Sequence, residues 1–152
     1  MQEADIKAHL EATFPNLAQS GYERTSPQNP RYNCIAWAAD DDALWWEPRA
    51  SPGYYWPPGA PMSPTVEAYI EAYAQSGYEN CDGEELEDGF EKVAIFSKGS
   101  IPTHAAKQLE TGAWTSKLGQ SFDIRHNTLS GVEGDAYGKV TQIMKRPRKR
   151  DT

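Results

Sequence analysis

The pattern of hydrophobic and polar positions divides the chain into a helical, loop-rich first half and a strand-rich second half. Near the N-terminus, Ile6 and Leu10 lie one helical turn apart among polar residues and alanines. This spacing predicts a short amphipathic helix over residues 4–13. We expect it to end before Pro15, because the residue that precedes a proline disfavours helical geometry.

Two further helices are predicted in the first half. Residues 66–74 repeat apolar side chains at helical spacing, with Ser63 as the predicted N-cap and Gly77 as the stop. Residues 33–39 are apolar on every side after Asn33, which is a favoured N-cap. A helix without a polar face is normally buried, so this segment is predicted to be a core helix.

In the second half the hydrophobic period changes to two, which is the period of a strand. Residues 92–96 read as a mostly buried strand. Residues 103–109 and 114–118 flank a glycine-containing turn and predict a hairpin. A short strand or turn is predicted at residues 122–126, and a last strand at residues 137–145.

One six-residue motif occurs twice. Ala-Gln-Ser-Gly-Tyr-Glu stands at residues 18–23 and again at residues 74–79. No further similarity surrounds the two copies, so they do not indicate a structural repeat. They predict a shared local structure, in which a helix or turn ends at the glycine and leads into an extended Tyr-Glu step.

Composition and charge narrow the classes of function. A chain of 152 residues with 38% hydrophobic residues can bury the core of one domain. We expect this single domain to cover residues 1–145 and the basic residues 146–152 to form a flexible tail. The net charge of -7 gives no strong nucleic-acid signal. Neither a membrane-spanning stretch nor an apolar signal core is visible, which predicts a cytoplasmic protein.

The two cysteines have opposite electrostatic settings. Cys34 follows Asn33 in the first turn of the predicted core helix, where free backbone N–H groups and the helix dipole favour a thiolate. Cys81 lies among acidic residues, which oppose deprotonation. Cys34 is therefore the candidate nucleophile, and the alternative interpretation is a small buried core cysteine.

A cysteine nucleophile needs a base, which is usually a histidine. His9 lies on the amphipathic first helix, whereas His104 lies on the first strand of the hairpin among small neighbours, so His104 is the candidate base. A third group should orient it. Asp123 is preferred, because a carboxylate stabilises an imidazolium best. Ser116 has the better register, diagonal to His104 and on its face. His126 also qualifies if the opposite face of its segment turns inward.

These segments together resemble the papain-like cysteine hydrolases, particularly the small bacterial amidases and endopeptidases of the CHAP and NlpC type. Tyr-Asn-Cys-Ile-Ala-Trp-Ala at residues 32–38 is similar to their nucleophile helix, and Thr-His-Ala-Ala at residues 103–106 to their histidine strand. Over residues 32–147 the chain also resembles an uncharacterised family of small bacterial proteins. The resemblance implies an α+β fold with a nucleophile helix packed on a small antiparallel sheet.

The mechanism that the resemblance implies is acyl transfer. The Cys34 thiolate would attack an amide carbonyl, the Cys34 backbone N–H would donate to the oxyanion, and His104 would protonate the leaving group. The implied substrate is a peptide, a protein or a peptidoglycan-like polymer, cleaved by a peptidase, a cell-wall amidase or a protein deamidase. No cofactor is expected, and no metal, because the histidines and cysteines lack zinc spacing. The rival hypothesis is a non-catalytic protein-interaction module that retains the papain-like fold.

Overall fold

The computed structural model of the protein describes residues 3–26, 46–48, 54–117 and 123–148. Within these ranges the chain forms a seven-stranded sheet in which every paired strand is antiparallel to its neighbours. The strands are β1 (Tyr22–Ser26), β2 (Glu79–Cys81), β3 (Phe90–Lys98), β4 (Ile101–Gln108), β5 (Trp114–Lys117), β6 (Asp123–His126) and β7 (Lys139–Pro147).

The order of the strands across the sheet is β1-β6-β5-β4-β3-β7-β2. Strands β3 to β6 follow one another along the chain and pair as a meander. The hairpin predicted around residues 110–112 is confirmed as β4 and β5, and Gly112 has a φ of 92° in its turn. The strands predicted at residues 92–96 and 137–145 are confirmed as β3 and β7, with small differences at their ends.

The helices in the described ranges are short. They are α1 (Glu3–Thr13), α2 (Leu17–Ser20) and α3 (Val66–Ala74), with a 3-10 turn at Leu129–Val132. The predictions of α1 and α3 are confirmed.

The predicted N-cap of α3 is wrong by two residues. Thr65 occupies this position, and its hydroxyl accepts a hydrogen bond from the Ala68 backbone N–H. The Ser63 hydroxyl lies 3.1 Å from the Thr65 hydroxyl, so Ser63 contacts the cap and does not form it.

The predicted papain-like α+β fold is wrong. The described residues are mostly β, with a seven-stranded sheet and few, short helices. The prediction was a nucleophile helix packed on a small antiparallel sheet. Much of the difference comes from β1 and β2, which lengthen the sheet at both ends. Their sequences, Tyr-Glu-Arg-Thr-Ser and Glu-Asn-Cys, lack the alternation of apolar and polar residues that predicts a half-buried strand. The helix predicted at residues 33–39 lies outside the described residues.

The repeated hexapeptide explains how the two edges begin. Gly21 has a φ of 82° after α2, and β1 starts at the next residue. Gly77 has a φ of 95° after α3, and β2 starts two residues later. The predicted change from helix to extended chain at the glycine is therefore confirmed for both copies, and the two Tyr-Glu steps lead into opposite edges of the same sheet.

Each face of the sheet carries its own hydrophobic cluster. On one face, α3 and two buried tryptophans pack against alternate residues of β3, β4 and β7. This cluster contains Trp46, Trp56, Tyr69, Tyr73, Val93, Ile95, Ala105 and Met144. On the other face, α1, α2 and the 3-10 turn pack against the intervening residues of the strands. This cluster contains Leu10, Phe14, Leu17, Ala94, Phe96, Ala106, Trp114, Ile124, Leu129 and Val132. Both faces are thus covered, which explains why β3 is buried over most of its length.

The basic C-terminal segment begins inside the sheet. Arg146 and Pro147 belong to β7, so the last strand continues two residues past residue 145. The Arg146 side chain is buried, and its Nε donates to Glu91 Oε1 over 2.5 Å. Arg148 Nη1 lies 3.6 Å from the second oxygen of the same carboxylate. These two arginines therefore do not form a solvated tail.

Gly138 stands at the neck of a turn that precedes β7, where it exchanges two backbone hydrogen bonds with Gly134. Its φ is 78°, and a Cβ at this position would overlap the carbonyl oxygen of Ser97. We expect Gly138→Ala to lower the free energy of unfolding by about 3 kcal/mol, because it adds a backbone clash to the strain of a positive φ. Urea unfolding followed by circular dichroism measures this loss.

Gly89→Ala is the matched control for this substitution. Gly89 has nearly the same φ, 82°, but a Cβ there meets no described atom within 4 Å. It should lose only the cost of the backbone conformation, about 1 kcal/mol. Equal losses in the two variants would show that the close approach of Ser97 to Gly138 does not constrain the turn.

Candidate functional site

Three polar side chains lie in a row across the middle of the sheet, one on each of β4, β5 and β6. They are His104, Ser116 and His126, and each has 0% of its surface exposed. Their common face follows from the register. The β4–β5 pairing, continued by one residue, places Ala106 opposite Ser116, and the β5–β6 pairing places Trp114 opposite His126. Residues two apart on a strand share a face, so all three side chains point to the same side.

The three side chains form a continuous chain of hydrogen bonds, which we call the histidine–serine relay. Ser116 Oγ lies 2.9 Å from His104 Nε2 and 2.7 Å from His126 Nε2. At the far end, His126 Nδ1 lies 2.8 Å from the backbone carbonyl oxygen of Thr128 and donates to it. Buried polar groups are costly unless they are paired, so this chain satisfies three of the four histidine nitrogens.

The fourth nitrogen is the exception. His104 Nδ1 is buried and has no hydrogen-bond partner among the described residues. Most buried polar atoms in proteins have at least one partner, so an open position on an otherwise fixed ring requires an explanation. The ring thus carries one nitrogen that is held in place and one that is available.

Tyr137 covers one face of the His104 ring. The two rings are 4.0 Å apart between centroids and nearly parallel, with an interplanar angle of 2°. The Thr103 hydroxyl donates to the Tyr137 backbone carbonyl and fixes the turn, while Phe14 packs against the tyrosine ring at 5.2 Å. Stacking covers a face of the imidazole and not its edge, so Tyr137 excludes water from the ring without occupying the direction of Nδ1.

Both histidines are uncharged at neutral pH. Burial lowers the pKa of His104 well below its usual range, and the neighbouring His126 lowers it further. Burial also lowers the pKa of His126, to about 4; the hydrogen bond to the Thr128 carbonyl opposes this change, and the charge of Arg125 adds to it. A neutral imidazole with an open nitrogen is a proton acceptor, which is the state that a general base requires.

The structure brings together three of the five side chains named from the sequence. His104, Ser116 and His126 are joined, and His126 lies on the inward face of its strand. Asp123 is the first residue of β6, where it pairs with Lys117. Cys34 and its backbone N–H lie outside the described residues. The catalytic roles of all five residues stay predictions.

Two parts of the site were not predicted from the sequence. The sequence pattern places Tyr137 only at the start of the last strand and gives no indication of the Thr128 carbonyl. The glycines that flank Tyr137 at positions 134 and 138 indicate a tight turn, which presents its tip residue to a neighbouring element. A backbone carbonyl carries no residue-type signal, so Thr128 could not have been found in this way.

Other kinds of site find little support in the described part of the chain. It contains no group of three or more His, Cys, Asp or Glu side chains that could hold a metal ion. No helix within the described ranges is long and apolar enough to cross a membrane. The histidine–serine relay is therefore the candidate functional site in the described residues.

Comparison with known protein families identifies the family of the chain. Residues 23–145 match a family that is described as a domain of unknown function, DUF7689. No curated protein matches the chain, and no solved structure does. The matched range contains the whole relay and Tyr137, and it covers most of the 152 residues. The chain therefore belongs to the DUF7689 family.

Proposed function

We propose that the protein is a cysteine hydrolase in which His104 takes the proton of the Cys34 thiol. The observation that carries the proposal is the asymmetric environment of the His104 ring. Ser116 holds Nε2, while the buried Nδ1 has no partner among the described residues. A catalytic base needs this arrangement, because one nitrogen must be oriented and the other must face the nucleophile.

The chain length allows Cys34 to reach this nitrogen. β1 ends at Ser26, and it lies three strand positions from β4, or about 14 Å at the usual strand spacing. Eight residues lead from Ser26 to Cys34, and an extended chain covers about 3.3 Å per residue. The possible span of about 26 Å exceeds the distance across the sheet, so the connection places no barrier between Cys34 and His104.

The proposed reaction is the hydrolysis of an amide bond. His104 Nδ1 accepts the thiol proton as Cys34 Sγ attacks the carbonyl carbon, and the resulting imidazolium then protonates the amine that leaves. Water attacks the thioester, with His104 again as the base, and the acid product is released. The substrate class is a peptide or a peptidoglycan-like polymer, and Ser116 and His126 hold the imidazole in place during both steps.

The test compares the two thiols of the same molecule. Iodoacetamide at neutral pH should alkylate Cys34 faster than Cys81, whose pKa is raised by burial, with Glu87 and Asp82 adding to the effect against Lys92 and Lys145. His104→Gln should slow the alkylation of Cys34 on the order of a hundredfold, the usual contribution of a general base, and should leave Cys81 unchanged. Mass spectrometry of tryptic peptides follows each site separately.

His9→Gln is the control, since His9 is an exposed histidine on α1. It should alter the alkylation of neither cysteine. Equal rates at Cys34 and Cys81, or a Cys34 rate that does not depend on His104, would overturn the hydrolase proposal and favour a non-catalytic role for the domain.

A further inference from the structure

We propose that Ser116 and His126 are positioning residues that hold His104 in one tautomer, with the proton on Nε2 and the lone pair on Nδ1. The inference rests on the proposed function for its purpose, because that tautomer is the one that can accept a thiol proton at Nδ1. The hydrogen bonds of the histidine–serine relay fix this tautomer, because the donor at one end of the relay is certain.

The certain donor is His126 Nδ1. Its partner is the backbone carbonyl oxygen of Thr128, at 2.8 Å, and a carbonyl oxygen can only accept. His126 Nδ1 therefore carries a hydrogen. A neutral imidazole has one N–H, so His126 Nε2 carries a lone pair and must be the acceptor in its bond with Ser116.

The Ser116 hydroxyl transmits this constraint to His104. A hydroxyl has one hydrogen and two lone pairs, and the hydrogen is used in the bond to His126 Nε2, which is 2.7 Å long. The remaining bond, 2.9 Å long, joins Ser116 Oγ to His104 Nε2. In this bond the hydroxyl oxygen can only accept, so His104 Nε2 carries the hydrogen and Nδ1 carries the lone pair.

The reverse assignment leaves buried groups without partners. If His104 carried its proton on Nδ1, the Ser116 hydroxyl would donate to His104 Nε2, and the bare Nε2 of His126 would face a lone pair of Ser116. His104 Nδ1 lacks a partner among the described residues in either tautomer, so the difference lies in the bond between Ser116 and His126. The loss of that buried bond disfavours the reverse assignment. A backbone carbonyl beside β6 thus determines which nitrogen of a histidine on β4 is basic.

The experiment reads both tautomers directly. Long-range ¹H–¹⁵N spectra of the folded, ¹⁵N-labelled protein at neutral pH distinguish a ring nitrogen that bears hydrogen from one that bears a lone pair. We expect opposite tautomers in the two buried histidines, with the hydrogen on Nε2 of His104 and on Nδ1 of His126. The same tautomer in both, or the reverse assignment, would overturn the proposal.

Two variants test whether the relay is the cause. In His126→Phe the Ser116 hydroxyl loses its acceptor and is free to donate to His104, so a form with hydrogen on His104 Nδ1 should appear. In Ser116→Ala the His104 ring loses its fixed partner, while His126 keeps its hydrogen on Nδ1 through Thr128. If His104 remained entirely in the Nε2–H form in both folded variants, the relay would not set the tautomer.

Ser97→Ala is the matched control, because Ser97 is also a buried strand serine with a hydrogen-bonded hydroxyl, but its partners are Gly99 and Thr141. It should change neither histidine spectrum. Ser116→Ala should also slow Cys34 alkylation about tenfold, which Ser97→Ala should not.

Measuring the tautomers in Cys34→Ala protein separates this inference from the proposed function. Opposite tautomers in the Cys34→Ala protein, together with a Cys34 alkylation rate that does not depend on His104 in protein that retains Cys34, would leave the relay valid and remove the hydrolase. A Cys34 alkylation rate that depends on His104, without opposite tautomers in the two histidines, would remove only the relay.

Discussion

Replacing Glu91 with Gln is expected to lower the free energy of unfolding by about 3–5 kcal/mol, because it removes the charge of the carboxylate that lies against the buried guanidinium of Arg146. Both Glu91 and Arg146 are largely buried, and Arg146 Nε lies 2.5 Å from Glu91 Oε1. The guanidinium also donates to the Ser76 carbonyl and lies 4.4 Å above the Tyr78 ring. These contacts fix the arginine in place, so it cannot turn to water when the carboxylate is removed. Urea unfolding at neutral pH measures the loss.

Two comparison variants identify the origin of this loss. Glu110 is 80% exposed and lies 4.0 Å from Arg148, so Glu110→Gln should cost less than about 1 kcal/mol. The double variant Glu91→Leu/Arg146→Met should recover much of the stability lost in Glu91→Gln, because removing both charges leaves none buried and unpaired. A loss of under 1 kcal/mol in Glu91→Gln would show that the pair contributes little to the stability of the domain.

Acidification is expected to destabilise the protein before its carboxylates become protonated. The folded pKa of His126 is about 4, below the ordinary value of 6.5, so the unfolded chain binds the proton more readily. The stability contributed by neutral His126 is present above pH 6.5 and is lost as the pH falls towards 4. At 1.36 kcal/mol per unit of pKa, the loss is about 3 kcal/mol. His104 adds to it, because its pKa is lowered too.

In the window between pH 6.5 and 5, the change in the free energy of unfolding is expected to come from the histidines and not from the carboxylates. Glu87, whose pKa is lowered from 4.5 by hydrogen bonds from Lys92 and Lys145, loses its contribution only at lower pH. Within the window, His126→Phe should be less stable at pH 7 but should show a shallower dependence on pH, by up to about 1.4 kcal/mol per unit. Urea midpoints at a series of pH values provide the measurement. A wild-type stability that is constant across this window would contradict the burial of neutral histidines.

The elements that the sequence predicts well are those whose burial follows a simple period. Residues 66–74 and 92–96 have clear helical and strand patterns, and both are confirmed as α3 and β3. The hairpin of β4 and β5 was equally accessible, because its turn contains Gly112. Counting from the turn also gives the register of this hairpin, and the register predicts that Ser116 lies diagonal to His104 on the same face.

The fold class was not accessible, for a physical reason. The two edge strands, β1 and β2, are specified by where they dock and not by their own periodicity, so the sheet was predicted too small. The predicted architecture depended largely on the resemblance of the apolar segment around Cys34 to a nucleophile helix. Local likeness over seven residues does not determine how many strands pair beside it.

The candidate site was predictable in its residues but not in its connections. His104 is predicted as the base, and Ser116 and His126 are predicted, beside Asp123, as alternatives for the single residue that orients it. The structure links them in series, with Ser116 between the two rings. A sequence shows which side chains share a face. Whether Ser116 and His126 would each contact His104, or whether His126 contacts it only through Ser116, depends on distances of a few ångströms. Tyr137 comes from a turn that the register of β4 to β6 does not determine.

The meander of β4, β5 and β6 also has a consequence for the order of folding. The relay contacts join residues that are 12 and 10 positions apart, so they close short loops at low entropic cost. The outer pairings join Tyr22 to His126 and Glu79 to Lys145, which lie much further apart along the chain. Contacts between near neighbours form more readily, so we expect the two histidines to meet early in folding. We expect their isolation from water to follow, when β7 docks and brings Tyr137 over His104.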